Sequence, residues 1–294
     1  MLKPKTLARY DQPVPRYTSY PTAPHFTEAV DATTHARWLA EIPGGDSLSL
    51  YVHIPFCDTM CWFCGCHTRI VNRYEPIAAY LDHVTAEVER VAGTLGKRHR
   101  ASHVHWGGGT PTSLAPADIL RLSDALRTHF DFDEESEFAV ESDPRGVGEE
   151  TIAALGQAGV TRVSLGVQDF SPRVQQAVNR IQPFDETKRV IDSLRSVGIA
   201  EINIDLMYGL PHQGTDELLA TAEKVLELEP ARLALFGYAH VPWMKVHQRM
   251  IDEDALPGTE ARWQQAVAAR AFLEEHGFTT IGLDHFARDD DPMA

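Results

Sequence analysis

The chain has 294 residues, 43% hydrophobic and 23% charged, which suits one large α/β domain or two small ones and excludes a disordered chain. Its 42 acidic against 27 basic residues leave a formal charge of -15, which argues against an electrostatic grip on nucleic acid or on an anionic membrane surface. No apolar run reaches the roughly 18 residues of a membrane span, and the opening MLKPKTLARYDQPVPRYTSYP has no apolar signal-peptide core, so a soluble cytoplasmic protein is expected.

Residues 1–48 are rich in Pro, Thr, Tyr and Arg, with one short helical pattern at 36–40, and read as an extended arm lying on a main domain, residues 49–294. Short β-rich apolar runs then appear at 49–54, 103–106, 137–141, 162–166, 201–208 and 232–238. Helical patterns lie between them at 76–95, 116–130, 149–158, 173–178, 186–197 and 216–228. A seventh unit is expected from a helix at 260–276 and a strand at 278–284. Gly159, Gly198 and Gly277 follow helical runs and suit the left-handed residue that ends a helix.

This alternation, with strands apolar at most positions, predicts a parallel sheet covered by helices: six units fit a partial (β/α)6 TIM-like barrel or an open wound sheet. Chemistry in such folds gathers at the carboxyl ends of the strands. The cysteine cluster follows the first strand and Gly107-Gly108-Gly109-Thr110 the second. Glu141 ends the third, Gln168 follows the fourth, Asp205 and Tyr208 lie late in the fifth, and Tyr238-Ala239-His240 follows the sixth.

All four cysteines fall within CDTMCWFCGC. Pairs this close in sequence cannot brace a fold of this size, so a disulfide framework is not expected. Four thiolates can bind zinc, but structural zinc usually draws cysteine pairs from separated hairpins. Short looped runs of cysteine favour an iron-sulfur cluster, and the spacing of Cys57, Cys61 and Cys64 wraps a cubane with three ligands, leaving the fourth iron open. Phe63 can cover the cluster and stack on a purine, or simply pack. Cys66 is surplus to the three ligands and reads equally as a small loop residue or a functional one.

A CxxxCxxC run after a strand, followed by GGGT at the next strand end, resembles the radical S-adenosylmethionine superfamily. More narrowly, PRYTSYPTA, YVHIPFC, CWFCGC, HWGGGTPT, GVQDF, NIDLMYGLP and YAHVP, in that order, resemble the oxygen-independent coproporphyrinogen III oxidases, the coproporphyrinogen dehydrogenases of haem biosynthesis, from about residue 15 to 288. The resemblance implies a partial barrel of the radical SAM type, one oxygen-sensitive [4Fe-4S] cluster on Cys57, Cys61 and Cys64, and two molecules of S-adenosylmethionine in one site. It assigns Tyr51, Gly108 and Glu141 to the cluster-bound molecule, and Phe63, Gly109, Thr110, Gln168, Arg180, Asp205 and Ala239 to the second. Tyr51, Glu141 and Arg16 are the expected catalytic residues.

The implied reaction starts with one-electron cleavage of S-adenosylmethionine to a 5′-deoxyadenosyl radical, which takes a β-hydrogen from a propionate. Loss of CO2 and of one electron leaves a vinyl group, and two rounds turn coproporphyrinogen III into protoporphyrinogen IX. The implied partners are this substrate, a reductant and an electron acceptor, around a monomeric enzyme. Glycines Gly107 to Gly109 would bring backbone groups close to the cofactor.

Without the family, Glu141 and Asp205 read as strand-end acids of the kind that cap helices. Arg16, Arg145 and Arg180 are candidates for the substrate's carboxylates, or surface ion pairs. The arm with Arg16, Tyr17 and Tyr20 reads as a flap over a flat macrocycle, or a packing strap, while His53, His103 and His105 alternate with apolar residues and read as structural. A haem chaperone of the same superfamily is the alternative; Cys66 in CGC and the PRYTSYP arm count against it. The family continues beyond GLDHFA with a further segment and a helical C-terminal domain, so the chain is expected to lack that domain, and a truncated inactive form is a further alternative.

Overall fold

The structure, a computed structural model, describes residues 4–10 and 21–294. Two helices, α1 (Pro4–Tyr10) and α2 (Ala32–Glu41), precede the edge strand β1 (Leu48–Ile54). Two short strands, β2 (Phe56–Cys57) and β3 (Arg69–Ile70), pair in parallel and close the loop that carries the cysteines. Then come α3 (Glu75–Leu95), β4 (Ala101–Gly108), α4 (Pro116–His129), β5 (Glu137–Ser142), α5 (Glu149–Ala158) and β6 (Arg162–Gln168). They are followed by α6 (Pro172–Ala177), α7 (Phe184–Ser196), β7 (Glu201–Tyr208), α8 (Thr215–Leu226) and β8 (Arg232–Gly237). The described chain ends with α9 (Thr259–Glu275), β9 (Phe278–Ile281) and β10 (His285–Arg288).

Six strands run parallel and in chain order, β1-β4-β5-β6-β7-β8, each joined to the next by helical segments. This is the partial (β/α)6 barrel expected from the alternation. The local signals agree with the physics of helix ends. Pro116 opens α4 with Asp118 in its first turn and Arg127 and His129 in its last, matching the helix dipole. Gly159 closes α5 in the left-handed conformation at φ 79°.

The seventh unit departs from expectation. β9 runs in the expected direction, but β10 turns back at Gly282, which has φ 63°, and inserts antiparallel between β8 and β9. Residues 278–284 are therefore a strand and a turn, and the short GLD segment ends the strand because the chain must reverse there. The arm also differs in detail. Its described parts are helical: α1 contacts α9, and α2, capped by Asp31 Oδ1 accepting from Thr34 N–H at 2.8 Å, packs on α3. Arg16, Tyr17 and Tyr20 lie outside the described residues.

Alternation along the strands sorts side chains into two faces. Val104 and Trp106 on β4, Phe138 and Val140 on β5, Val163 and Leu165 on β6, and Ile202 and Ile204 on β7 are buried in one core with the helices. The other face is polar and bonded across strands: His105 with Glu141, Ser164 with Asp205, and Arg162 with both Glu137 and Asn203. At the amino ends of the strands the C-terminal segment seals this face. Asp291 is buried there, its carboxylate accepting from Arg162 at 3.1 Å and Arg232 at 2.7 Å. The polar face is therefore open at the carboxyl ends of the strands, where the cysteines are.

Candidate functional site

Strand β1 delivers the chain to Pro55, after which β2 and β3 hold the neck of the loop 57–70. The loop is pinned from both sides. Trp62 N–H donates to Val178 O at 2.9 Å, and Asn179 Nδ2 to Met60 O at 2.8 Å. From the segment after β8, Lys245 Nζ donates to Cys66 O at 2.9 Å, Gln248 Nε2 to Phe63 O at 3.0 Å, and His247 Nε2 meets Cys64 O at 2.7 Å. Backbone carbonyls of the loop are thus satisfied, and all four cysteines turn to one cleft.

That cleft holds about 710 Å3 of space when the part open to solvent is included. Cys57, Cys61, Cys64 and Cys66 line it from the loop, Gly108 and Gly109 from the end of β4, Glu141 from β5 and Asp143 from just after β5. Ser164, Gly166 and Gln168 of β6, Asp205 of β7 and Arg180 complete it. Of the residues expected from the sequence, Phe63, Gly108, Gly109, Glu141, Gln168, Arg180, Asp205 and the three cysteines share this cleft.

Tyr51, Thr110 and Ala239 do not line it. Tyr51 is 60% exposed on β1 and stacks on His105 with ring centroids 5.8 Å apart. Thr110 is buried and its hydroxyl accepts from Asp143 N–H at 3.0 Å, which fixes the turn after β5. Ala239 is exposed beside the clamp, its carbonyl accepting from Gln248 Nε2 at 3.2 Å.

The glycine run serves the protein's own atoms first. A Cβ on Gly107 would stand 2.8 Å from Glu141 Oε1, and one on Gly109 2.5 Å from the Phe56 carbonyl oxygen. Gly108 N–H donates to Glu141 Oε2 at 3.0 Å while His105 Nε2 meets Oε1 at 3.0 Å, so both oxygens of Glu141 are anchored. His53 likewise bonds Tyr51 Oη at 3.0 Å and His67 O at 2.9 Å, and the exposed His103 bonds Ser102 at 3.1 Å. Gln168 sits at a strand irregularity with φ 70°, a strained conformation for a residue with a side chain.

Electrostatics divide the acids. Burial, then the charge of Glu141, pushes Asp205 up to about 7. Burial also works against the Asp143 carboxylate, but Arg180 and Arg145 beside it prevail and hold it below its usual range. Burial, then Cys64, drives the Cys57 thiol up to about 12, whereas the hydrogen bond from Cys66 pulls Cys64 down. Arg145, a candidate for substrate carboxylates, has its guanidinium taken by Asp143 at 2.6 Å and Cys61 Sγ at 3.2 Å. Asp143, Lys245, His247 and Gln248 carried no local signal in the sequence, since their contacts join segments far apart in the chain.

The sequence pattern of the Radical SAM superfamily matches residues 51–225, from Tyr51 on β1 through α8. The chain belongs to the radical SAM superfamily. It is 53% identical over 284 residues to the oxygen-independent coproporphyrinogen III oxidase of Bradyrhizobium diazoefficiens, covering 97% of this chain and 63% of that one. The Paracoccus denitrificans protein of that name is 46% identical over 98% of this chain and 64% of its own. Among solved structures, the coproporphyrinogen III oxidase HemN of Escherichia coli, described as a radical SAM enzyme, superimposes with a TM-score of 0.90 at 38% identity, over 98% of this chain and 64% of HemN. The chain thus spans under two thirds of the length of these relatives.

Membership of the radical SAM superfamily implies a [4Fe-4S] cluster and S-adenosylmethionine. The donors fit. Among the described residues no three His, Cys, Asp or Glu side chains converge on a single-ion position. Thiolates that each bind a different iron of a cubane stand farther apart than ligands of one ion, and three cysteines lining one open cleft suit the former. Arg180 borders the cleft, its Nε buried without a protein partner, and its cation suits an anionic group of a cofactor. Among the described residues no helix is long and apolar enough to cross a membrane.

Proposed function

We propose that this radical SAM protein carries out the oxidative decarboxylation of two propionates of coproporphyrinogen III to vinyl groups, giving protoporphyrinogen IX in the cytoplasm. The observation that carries the reading is the single cleft that unites Cys57, Cys61 and Cys64 with Glu141, Gln168, Arg180 and Asp205. Identities of 53% and 46% to oxygen-independent coproporphyrinogen III oxidases support the substrate.

Cys57, Cys61 and Cys64 would hold the cluster, which when bound supplies the one-electron reduction that opens the sulfonium of S-adenosylmethionine to a radical able to take a propionate hydrogen. The protein's part is to bind, orient and exclude water. Glu141, with each oxygen anchored by one donor, keeps lone pairs free for the hydroxyls or ammonium of the first S-adenosylmethionine. Tyr51 steadies His105 on its far side. For a second S-adenosylmethionine, Arg180 offers its positive charge to the carboxylate, and Asp205, protonated up to about pH 7, offers a neutral hydrogen-bonding group. Phe63 supplies a flat apolar wall beside Gln168 and Gly109. Thr110 and Ala239 act through the loops they fix, and Arg16 belongs to the arm proposed to cover the site.

The test is anaerobic reconstitution with iron and sulfide, followed by reduction with S-adenosylmethionine and coproporphyrinogen III. Formation of 5′-deoxyadenosine, CO2 and a vinyl-bearing porphyrin supports the reading, with the cofactor stoichiometry read by equilibrium binding. A cluster that binds haem without decarboxylation favours a chaperone, and no cluster on the three cysteines overturns the reading.

A further inference from the structure

Arg145 reaches the cysteine loop from behind the cleft. Its Nη2 donates to Sγ of Cys61 at 3.2 Å, and Nη1 of Arg180 donates to the same sulfur at 3.3 Å. Asp143 fixes both guanidinium groups. Its Oδ2 accepts from Nη2 of Arg145 at 2.6 Å and from Nη1 of Arg180 at 2.9 Å, and its Oδ1 accepts from Nε of Arg145 at 3.0 Å. Arg180 and Asp143 border the cleft, so they face whatever occupies it; Arg145 is absent from the lining and is 19% exposed.

The chemistry of this placement has one direction. A donated N–H withdraws electron density from a thiolate, and the reduced form of a cluster carries one more negative charge than the oxidised form. Cationic donors at a ligand sulfur therefore favour reduction. Two guanidinium groups and one carboxylate leave a net positive charge against Cys61, which is only 7% exposed, so water screens it poorly. Arg145 is the member of the trio that touches the sulfur without touching the cleft, which separates an effect on the cluster from an effect on cofactor or substrate binding.

We propose that Arg145, held by Asp143, is a positioning residue that sets the reduction potential of the cluster through Cys61. The proposal rests on the reading of Cys57, Cys61 and Cys64 as cluster ligands. Its consequence is that the protein eases delivery of the first electron by its reductant through a residue remote from the reacting atoms.

The test is a mediated titration with dithionite of the anaerobically reconstituted full chain, followed by electron paramagnetic resonance and visible absorbance, with iron and sulfide counted per chain. Arg145→Met keeps the apolar stem and removes charge and donor. Its reduction equilibrium should fall about tenfold, a midpoint about 59 mV lower for a one-electron couple. Arg145→Lys keeps the charge but not the fixed fork, and should fall between the two. A cluster at full occupancy in Arg145→Met with an unchanged or higher midpoint overturns this proposal and leaves the cluster reading standing. So does an unchanged midpoint in Arg145→Lys beside an Arg145→Met chain that assembles no cluster, which would confine Arg145 to assembly. A wild-type chain that assembles no cluster overturns both.

Discussion

His105 and Glu141 face each other across β4 and β5, with Nε2 of the imidazole 3.0 Å from Oε1 of the carboxylate. The second oxygen of Glu141 accepts from Gly108 N–H, so the carboxylate has a fixed plane and a fixed distance from the glycine run. Both side chains are 39% exposed, which limits the pair to an ordinary hydrogen bond. His105→Ala should therefore weaken S-adenosylmethionine binding to the cluster-loaded chain by about fivefold, the equivalent of about 1 kcal/mol. Equilibrium titration with the cofactor measures it, and an affinity equal to wild type would mean that Glu141 is oriented by Gly108 alone.

Gly109 stands where the chain crosses itself. Its N–H donates to Ile54 O at 2.9 Å and Thr110 N–H to Phe56 O at 2.8 Å, which seats β4 against the turn leading to Cys57. Gly109→Ala must displace the Phe56 backbone, a rigid neighbour, and is expected to cost about 1–3 kcal/mol and to lower iron bound per chain after reconstitution. Gly93→Ala is the control, because nothing lies within 4 Å of its Cβ position on α3, and it should be neutral or slightly stabilising. Chemical denaturation and iron analysis of the two variants decide the matter.

The strand expected at 103–106 is longer in the structure, Ala101–Gly108, because Gly107 and Gly108 pair with His53 and Ile54 of β1. Period and turn residues revealed the six parallel strands, since each strand buries one face regardless of its partner. They could not reveal β10, whose direction depends on the turn at Gly282 and on pairing with β8. The cysteine spacing pointed to the cluster because it is local. The clamp on Cys64 by His247, 183 positions away, is a product of folding, and so is the burial of Asp291, the last of three consecutive aspartates.

Asp291 supplies a prediction of its own. Its side chain is 1% exposed and bonds the guanidinium groups of Arg162, 4% exposed, and Arg232, 11% exposed. Removing the acid leaves these two cations, among the described residues, with Glu137, Glu201 and Asn203 as side-chain partners. Asp291→Ala is expected to cost about 1.5–3 kcal/mol, whereas Asp290→Ala, at an exposed position, should stay within about 0.5 kcal/mol. Urea unfolding of the two variants side by side gives the difference, and equal midpoints would show that the tail is not held by this cluster.

Asp205 makes the stability of the chain without cofactors depend on pH in an unusual direction. Below its unfolded value of 3.8 the carboxyl is protonated in both states and carries no penalty. Between 3.8 and about 7 the unfolded residue gives up its proton while the folded one, half-buried beside Glu141, keeps it. Folding then holds the extra proton, so stability falls as pH rises and levels off above about 7. Asp205→Asn retains an oxygen for Ser164 and removes the titration, and it should stabilise the chain by about 2 kcal/mol at pH 8, less than the full shift implies because the cleft is open to water. The advantage should shrink to nothing near pH 4. Denaturation midpoints of both proteins under reducing, metal-free conditions across that range provide the measurement, and parallel pH profiles would place the Asp205 carboxyl in its ordinary range and remove the neutral hydrogen-bonding role proposed for it.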